Sequence, residues 1–295
     1  MSEAQNNSYR LQIIRGIPQN PTFDPARYEE IIDTFETNDG DCFIATYVKA
    51  GTTWTQQMIH LLVRKGVPGG FYSETVPWLE ALSSPILAAR EAPNWTMDKL
   101  NSISQPRYFK THATVDQLPR GLAEIKVIYI ARNPKDTVVS LYHHARSKPE
   151  FGYTGTFEAF VRLFLEGKVE NGSWFDHVLS WHKECMAQSE THLFLMYEDI
   201  YEQPMLAVQL FAALLELRST DDVYESVVRH SALQEMQATA SIGMNHLRRG
   251  GIGGWRDHFT VALSEQFDDV YKARMAGSEL RFNFGKNSQG KEVYM

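Results

Sequence analysis

The 295-residue sequence contains no apolar run that approaches the roughly 20 residues needed to cross a bilayer. Residues 1–10 are polar and lack the hydrophobic centre of a secretion signal. Only two cysteines are present, Cys42 and Cys185, and they do not form a CxxC or framework spacing. These absences predict a cytoplasmic protein without a membrane segment, whose two thiols stay reduced and form neither a disulfide nor a zinc pair.

Positive charge is also scarce. Lys and Arg number 29 against 36 Asp and Glu, so the formal net charge is −7, which argues against a nucleic-acid-binding protein. The sequence has no HExxH motif, Cys/His cluster or paired-carboxylate motif, so no metal site is predicted. It also has no internal repeat or linker, which favours one domain over residues 1–295, with residues 1–15 as a flexible arm.

Apolar, β-rich runs alternate with helical patterns along the chain. Runs typical of buried parallel strands lie at residues 42–47, 125–131 and 193–197, and a shorter strand-like segment lies at 107–110. Helical spacing marks residues 27–35, 55–65, a stretch from Pro134, two segments between 156 and 188 with Ser173 as an N-cap, and 204–217. This order predicts an α/β fold with a mostly parallel sheet covered by helices on both faces, and ligands near the carboxyl ends of the strands.

A glycine turn follows the first of these strands. Lys49, Gly51, Thr52 and Thr53 combine backbone N–H groups before a helix with one charge and two hydroxyls, which makes a P-loop-like phosphate cradle. The pattern is not Walker A, because its lysine precedes the glycine. An ordinary strand-to-helix turn with a surface lysine is the alternative.

Two further basic positions lie near turns or glycines. Arg132 ends a strand, and Ser140 follows two helical turns into the next helix, so both can reach a phosphate. Arg248, Arg249 and Gly250 lie in a glycine-rich stretch, 239–259, which is predicted to be a mobile loop that covers a nucleotide. Taken one at a time, these residues are equally compatible with solvated surface charges.

One histidine stands apart from the other nine. His112 follows the strand-like segment at 107–110, beside Lys110. With an ordinary pKa of about 6.5, a histidine at a strand end can take a proton from an attacking hydroxyl near neutral pH. A purely structural histidine is the alternative at this point.

In order and over nearly the whole chain, these motifs resemble the cytosolic sulfotransferase family. The family's TYPKSGTTW-like loop reads TYVKAGTTW at residues 46–54, its KTH segment is Lys110-Thr111-His112, and its RNPKD segment begins at Arg132. The C-terminal RKGxxGDWK signature reads RRGGIGGWR at residues 248–256, with Gly254 in place of the aspartate. We expect that glycine to loosen the loop.

The resemblance implies a transfer enzyme whose donor is 3′-phosphoadenosine 5′-phosphosulfate (PAPS), with 3′-phosphoadenosine 5′-phosphate (PAP) as product. It implies His112 as the catalytic base, Lys49 as the cation at the leaving group, and Lys110 as a second catalytic cation. The nucleotide contacts carried over are Lys49, Ala50, Gly51, Thr52, Thr53, Trp54, Arg132, Ser140, Tyr197, Ser231, Leu233, Leu247, Arg248, Arg249 and Gly250. Because a sulfuryl group bears less negative charge than a phosphoryl group, fixed cations can replace a metal.

The resemblance also implies an acceptor pocket that contains Phe23, Trp78, His144 and Asn171. Residues 75–81, 142–144 and 169–172, which correspond to the aromatic pocket walls of phenol-directed members, look more polar here, which favours the hydroxyl or amine of a polar metabolite or natural product as acceptor. The alternative is that His143 and His144 only cap the helix or face solvent. The string Arg256, Thr260, Val261 and Glu265 resembles the family's dimer segment and implies a homodimer. Two alternatives stay open: a non-catalytic nucleotide-binding protein, and a related enzyme that sulfates a substrate only to eliminate the group.

Overall fold

The structure is a computed structural model, and it describes residues 9–91, 95–119, 125–239, 250–287 and 289–295. Its strands are β1 Gln12–Ile14, β2 Ile17–Gln19, β3 Cys42–Thr46, β4 Tyr108–Thr111, β5 Lys126–Ala131, β6 His192–Met196, β7 Asn283–Lys286 and β8 Glu292–Tyr294. Its helices are α1 Pro25–Thr34, α2 Thr52–Val63, α3 Tyr72–Thr75, α4 Pro85–Glu91, α5 Met97–Ser102, α6 Pro134–Ser147, α7 Phe157–Leu165, α8 Trp174–Ala187, α9 Tyr197–Glu202, α10 Pro204–Leu214, α11 Asp221–His230, α12 Leu233–Thr239 and α13 Val261–Arg274.

The central sheet has four parallel strands in the order β4-β3-β5-β6. Every residue of β3 is buried, because the strand has a neighbour on each side and helices on both faces. Phe43 and Ala45 point into one apolar cluster, and Cys42 and Ile44 point into another on the opposite face. This arrangement confirms the predicted α/β class with a parallel sheet between two helical layers.

The last strand of the sheet differs from the prediction. Residues 193–197 were expected to form a buried strand, but within the described part of the chain β6 pairs with β5 alone, and most of its residues are half-buried. The strand ends at Met196, and Tyr197 begins α9 instead. An apolar run alone does not distinguish an edge strand from a central one, because both pack against helices.

The N-terminal segment also differs from the prediction where the structure describes it. Residues 1–15 were expected to be a flexible arm, but β1 and β2 form an antiparallel hairpin and Ile14 is buried. The ring of Tyr9 packs against Phe151 and Tyr153, with centroids 5.6 and 5.5 Å away. The hairpin is anchored because its apolar side chains cover the body of the protein.

Several helix boundaries follow capping rules. The side chains of Asp24, Asn133 and Ser173 each accept a hydrogen bond from the backbone N–H three residues on, at the starts of α1, α6 and α8. Helix α2 begins at Thr52, three residues before the predicted start, because left-handed Gly51 caps it without a side chain. The C-terminal elements α11, α12, α13, β7 and β8 were not predicted from the sequence.

Both cysteines are free and buried, and burial raises the pKa of the Cys185 thiol to about 12. Among the described residues, no helix is both long and apolar enough to span a membrane.

Candidate active site

A cavity of about 530 Å³ lies at the carboxyl ends of the parallel strands. Each of the four strands is followed by a residue that lines it: Lys49 after β3, His112 after β4, Arg132 after β5 and Tyr197 after β6. The parallel sheet therefore brings together residues that are far apart in sequence, as expected for ligand sites in α/β folds.

The turn after β3 has an unusual backbone. Lys49 and Gly51 both have positive φ, 70° and 107°, and Gly51 is the N-cap of α2. A non-glycine residue in this region is strained, and such strain is often found at ligand sites. The twelve-residue α2 begins at this turn, and Lys49, Gly51, Thr52 and Thr53 line the cavity, so the free N–H groups at the helix N-terminus lie at the cavity wall and can form an anion cradle.

Tyr197 packs directly against this turn. A Cβ atom added to Gly51 would lie 2.7 Å from Cδ2 of the Tyr197 ring, so only glycine fits there without a shift. The guanidinium carbon of Arg132 lies 4.3 Å from the centre of the same ring. The ring thus fixes the glycine turn and the arginine relative to each other.

Arg132 extends between two backbone segments of the cavity wall. Its Nη2 donates to the carbonyl of Gly251 at 3.0 Å, and its Nη1 donates to the carbonyl of Lys49 at 3.4 Å. Its Nε is buried with no hydrogen-bond partner among the described residues. A buried donor of a guanidinium is costly unless an acceptor is supplied, and an anion in the cavity supplies one.

Asp136, in the first turn of α6, holds the segment that follows Gly251. Its two carboxylate oxygens accept from the backbone N–H groups of Gly253 at 2.7 Å and Trp255 at 2.9 Å. We expected Gly254 to loosen this loop, but its two neighbours are fixed by Asp136. A Cβ added to Gly254 would lie 3.8 Å from Asp136 Oδ1, so an aspartate there would place a second carboxylate nearby.

A buried carboxyl group supports the same corner. Glu198 Oε1 accepts from the backbone N–H of Asn133 at 2.9 Å and from its side-chain amide at 3.0 Å, and that amide also donates to Asp136 at 2.9 Å. Burial raises the pKa of Glu198 to about 7, against the hydrogen bonds from Asn133. The network ties α6, α9 and the loop at Gly253 together beside Arg132.

His112 lies where β4 ends, with its imidazole held from one side. Its Nδ1 lies 2.9 Å from the carbonyl oxygen of Thr46, so this nitrogen carries the proton and donates it. The lone pair of the neutral ring is then on Nε2. The backbone carbonyl of His112 accepts from Asn171 Nδ2 at 3.2 Å and from His177 Nε2 at 3.1 Å, which fixes the backbone as well.

The charge state of His112 suits a proton acceptor. Burial lowers the pKa of this imidazole well below its ordinary value, and the cations of Lys110 and Lys49 lower it further. The ring is therefore neutral at neutral pH. Lys110 Nζ lies 4.0 Å from the centre of the Trp78 ring, which holds the ammonium beside the histidine.

Thr46 connects this base to the anion cradle. Its hydroxyl lies 2.6 Å from the hydroxyl of Thr52 and 3.3 Å from His112 Nδ1. On the other side of β4, the buried carboxylate of Glu80 accepts from the Thr111 hydroxyl and from the backbone N–H of His112 at 3.1 Å. Burial raises the pKa of Glu80, and these hydrogen bonds lower it.

Most sequence-predicted residues in the described part of the chain line the cavity. They are Lys49, Gly51, Thr52, Thr53, Trp54, Trp78, Lys110, His112, Arg132, Ser140, His144, Tyr197, Leu233 and Gly250. Four others are buried next to it without lining it: Ala50, Ser231, Phe23 and Asn171. Leu247, Arg248 and Arg249 lie outside the described residues. The structure adds roles for Thr46, Glu80, Asp136, Glu170 and Glu198. Thr46 and Asp136 lie inside the quoted motifs, but the sequence assigned no role to any of the five, because each contacts a segment that is distant in the chain.

Phe23 and Asn171 support the cavity from behind its wall. Phe23 packs its ring against Trp78, with centroids 5.9 Å apart, and Asn171 contacts the backbone of His112. Ser231 donates its hydroxyl to the carbonyl of Val228 at 3.2 Å. Over the described part of the chain, no three His, Cys, Asp or Glu side chains are grouped so that they can hold a metal ion.

Comparison with known proteins identifies the class. The sequence profile described as Sulfotransferase domain matches residues 39–279. Sulfotransferase 1B1 of Canis lupus familiaris is 34% identical over 92% of this chain and 95% of its own length. The crystal structure of a mouse sulfotransferase complexed with PAP has a TM-score of 0.76 at 27% identity, covering 91% of this chain and 95% of that one.

The chain therefore belongs to the sulfotransferase family. It is an enzyme that transfers a sulfuryl group to a small-molecule acceptor. A retinol dehydratase in complex with retinol and PAP shares the fold, with a TM-score of 0.73 at 21% identity over 87% of this chain and 88% of that one. At that identity the likeness concerns the fold alone, so it gives no support to elimination as the reaction here.

Proposed function

We propose that this enzyme transfers the sulfuryl group of PAPS in line to a hydroxyl or amine of a polar small molecule, with His112 as general base. One observation carries the proposal: the neutral imidazole of His112, anchored through Nδ1 to Thr46, lines the same cavity as the anion cradle at Lys49 and Gly51. A base and a phosphate site must lie within reach of one acceptor for direct transfer.

The donor fits the polar groups of the cavity. Residues 49–54 bind the 5′-phosphosulfate, since α2 directs its N-terminus there, and Arg132 and Ser140 bind the 3′-phosphate. The unpartnered Nε of Arg132 supports this assignment. Trp54, Tyr197, Leu233 and Gly250 line the remaining nucleotide side, and Ser231 supports it from behind. The proposal extends to Leu247, Arg248 and Arg249, which lie outside the described residues.

Three side chains act on the charges that change during the transfer: His112, Lys49 and Lys110. His112 accepts the proton of the acceptor hydroxyl at Nε2 as the acceptor oxygen bonds to sulfur. The bond from sulfur to the bridging oxygen breaks, and Lys49 stabilises the negative charge that grows on the leaving phosphate. Lys110 adds positive charge at the transferred group. The same fixed cations account for a reaction without a metal.

We also propose the domain organisation, the cellular location, the oligomeric state and the acceptor class of the enzyme. The chain acts as one domain, because one apolar cluster includes residues from Ile31 to Phe284. It acts in the cytoplasm, as its resemblance to the cytosolic sulfotransferases implies. It forms a homodimer through residues 256–265, where Val261 is 77% exposed. The acceptor is a polar metabolite or natural product, and Trp78 and His144 line its part of the cavity, with Phe23 and Asn171 behind them.

Transfer of labelled sulfate from PAPS to a panel of phenols, sterols, amines and polyhydroxylated molecules tests the proposal. Wild type labels at least one acceptor, and His112→Ala lowers the rate about 100-fold or more while it still binds PAP, because a general base contributes about that much. A nucleotide that binds without any transfer would support a binding protein, and an unsaturated product without sulfate would support elimination. Either result overturns the proposal.

A further inference from the structure

The carboxylate of Glu170, on the acceptor side of the cavity, faces a histidine that is neutral at neutral pH instead of a charged cation. Glu170 lies between α7 and α8, lines the cavity, and is only 4% exposed. Its Oε1 accepts from the side-chain amide of Asn20 at 3.3 Å. Its Oε2 is buried and accepts no hydrogen bond of ordinary geometry among the described residues.

One ionisable group that faces Glu170 is His144, on α6. Its Nε2 lies 3.5 Å from Glu170 Oε2, and its Nδ1 is also buried with no partner among the described residues. Burial lowers the pKa of His144, the nearby carboxylate of Glu170 raises it, and the charges of Lys49 and Lys148 lower it. The net direction is downward, so the ring is neutral at neutral pH and leaves the carboxylate charge uncompensated.

The other charges of the cavity have different surroundings. Arg90 is paired with Glu150 at 2.8 Å. Lys49 belongs to the anion cradle, and Lys110 is held over Trp78. Lys148 lines the cavity but is partly exposed, so water screens its charge. A buried carboxylate without a partner is unfavourable, which leaves a place for a cation brought by a ligand.

We propose that Glu170 and His144 form the recognition site for a protonated amine on the acceptor, so the preferred acceptors are small hydroxylated amines. The carboxylate Oε2 and the lone pair of the neutral imidazole both accept hydrogen bonds, and an ammonium group supplies only donors. The inference rests on the proposed sulfuryl transfer, because it concerns the acceptor end of that reaction. It assigns specificity to a side chain outside the nucleotide cradle and the base.

The test compares two acceptors of similar shape, tyramine and 4-ethylphenol, in the wild type, Glu170→Gln and Glu166→Gln. Glu166 lies in the same loop but is exposed and paired with Lys168, so it is the matched charge control. Wild type and Glu166→Gln have the higher kcat/KM for tyramine. Glu170→Gln loses about 30-fold or more of kcat/KM for tyramine, as for one lost partner of a buried charge pair, and loses much less with 4-ethylphenol.

Equal losses for both acceptors in Glu170→Gln, or a wild type without preference for the amine, overturn the inference. Calorimetric binding of tyramine to the complex with PAP separates it from the proposed function, since binding needs no turnover. Tyramine that binds the wild type about 30-fold more tightly than Glu170→Gln supports the amine site even if transfer fails. Equal binding overturns it even if transfer succeeds.

Discussion

At Gly51, the backbone and a neighbouring ring together decide which side chain fits. Its φ is 107°, and an added Cβ would lie 2.7 Å from the Tyr197 ring. Gly69 has a similar φ of 104°, but an added Cβ there would meet nothing within 4 Å. Alanine at either Gly51 or Gly69 strains the backbone, but only alanine at Gly51 displaces the Tyr197 ring that packs on the nucleotide turn. Comparing the two variants therefore isolates the effect of displacing the ring.

Gly51→Ala is predicted to weaken PAP binding about tenfold or more, whereas Gly69→Ala leaves it unchanged. Forcing Tyr197 aside costs about 1–3 kcal/mol, and about 1.4 kcal/mol is tenfold in affinity. Titration calorimetry with PAP measures the effect. Equal affinity in the two variants would mean that the turn does not form the phosphate cradle.

The protonation of His112 is set mainly by burial and by Lys110. Because the pKa of His112 is lowered, its ring stays neutral and able to accept a proton when the pH falls through about 6.5, the ordinary pKa of histidine. Lys110→Met removes a like charge, so the pKa of His112 is predicted to rise toward that value and the neutral form to be lost at a higher pH.

An NMR titration of the histidine ring in the nucleotide-free protein measures this shift. Lys183→Met, which removes an exposed cation from α8, is the control and leaves the titration unchanged. A midpoint that moves to lower pH in Lys110→Met, or does not move, contradicts the assignment of Lys110 as the cation beside the base.

At the scale of elements, Asp136 joins the start of α6 to the loop at Gly253–Trp255. Asp136→Asn keeps one acceptor oxygen but turns an amide toward the other backbone N–H. Hydrogen bonds to charged groups contribute about 1.5–3 kcal/mol, so the loop beside Gly250 and Gly251 shifts and PAP binds about tenfold more weakly.

Asp176→Asn is the control, because Asp176 is exposed near the start of α8 and pairs with Arg274. Fluorescence titration with PAP compares the two variants, and thermal unfolding monitors folding. If Asp136→Asn lowers the melting temperature while PAP affinity stays at the wild-type value, Asp136 supports only the fold and does not position the nucleotide loop.

The sequence predicted the helices and strands that are marked by residues at their own ends or by their own apolar runs. Helices α6 and α8 were found because Pro134 and the cap residue Ser173 mark their starts, and strands β3 and β5 were found because continuous apolar runs mark them. The start of α2 was missed because a left-handed glycine caps it. The edge position of β6 depends on strand order, which no single run encodes.

The site residues also divide into those that local sequence patterns indicate and those that only the folded chain reveals. Lys49, His112 and Arg132 lie inside short motifs, so the sequence indicated them. Asp136 also lies inside a motif, but the segment that it holds, at Gly253, is 117 residues further along the chain. Glu170 faces a cavity that only the folded sheet creates. Their residue types alone look like ordinary surface carboxylates, and only the fold reveals their burial.

At the scale of the whole molecule, Val261 begins α13 and is 77% exposed. If residues 256–265 join two copies, Val261→Glu places a charge in that contact and converts a dimer to a monomer at micromolar concentration. Val67→Glu, at another exposed apolar position, leaves the dimer intact. Sedimentation velocity distinguishes the species, and a wild type that sediments as a monomer contradicts the dimer.

The most direct test of the central claim is a crystal structure of the enzyme with PAP and an acceptor bound. We expect the 5′-phosphate at the turn of Lys49 and Gly51, the 3′-phosphate beside Arg132, and the acceptor hydroxyl about 2.6–3.2 Å from Nε2 of His112. A nucleotide bound away from that turn, or an acceptor beyond the reach of His112, would contradict the claim that one cavity unites the donor site and the base.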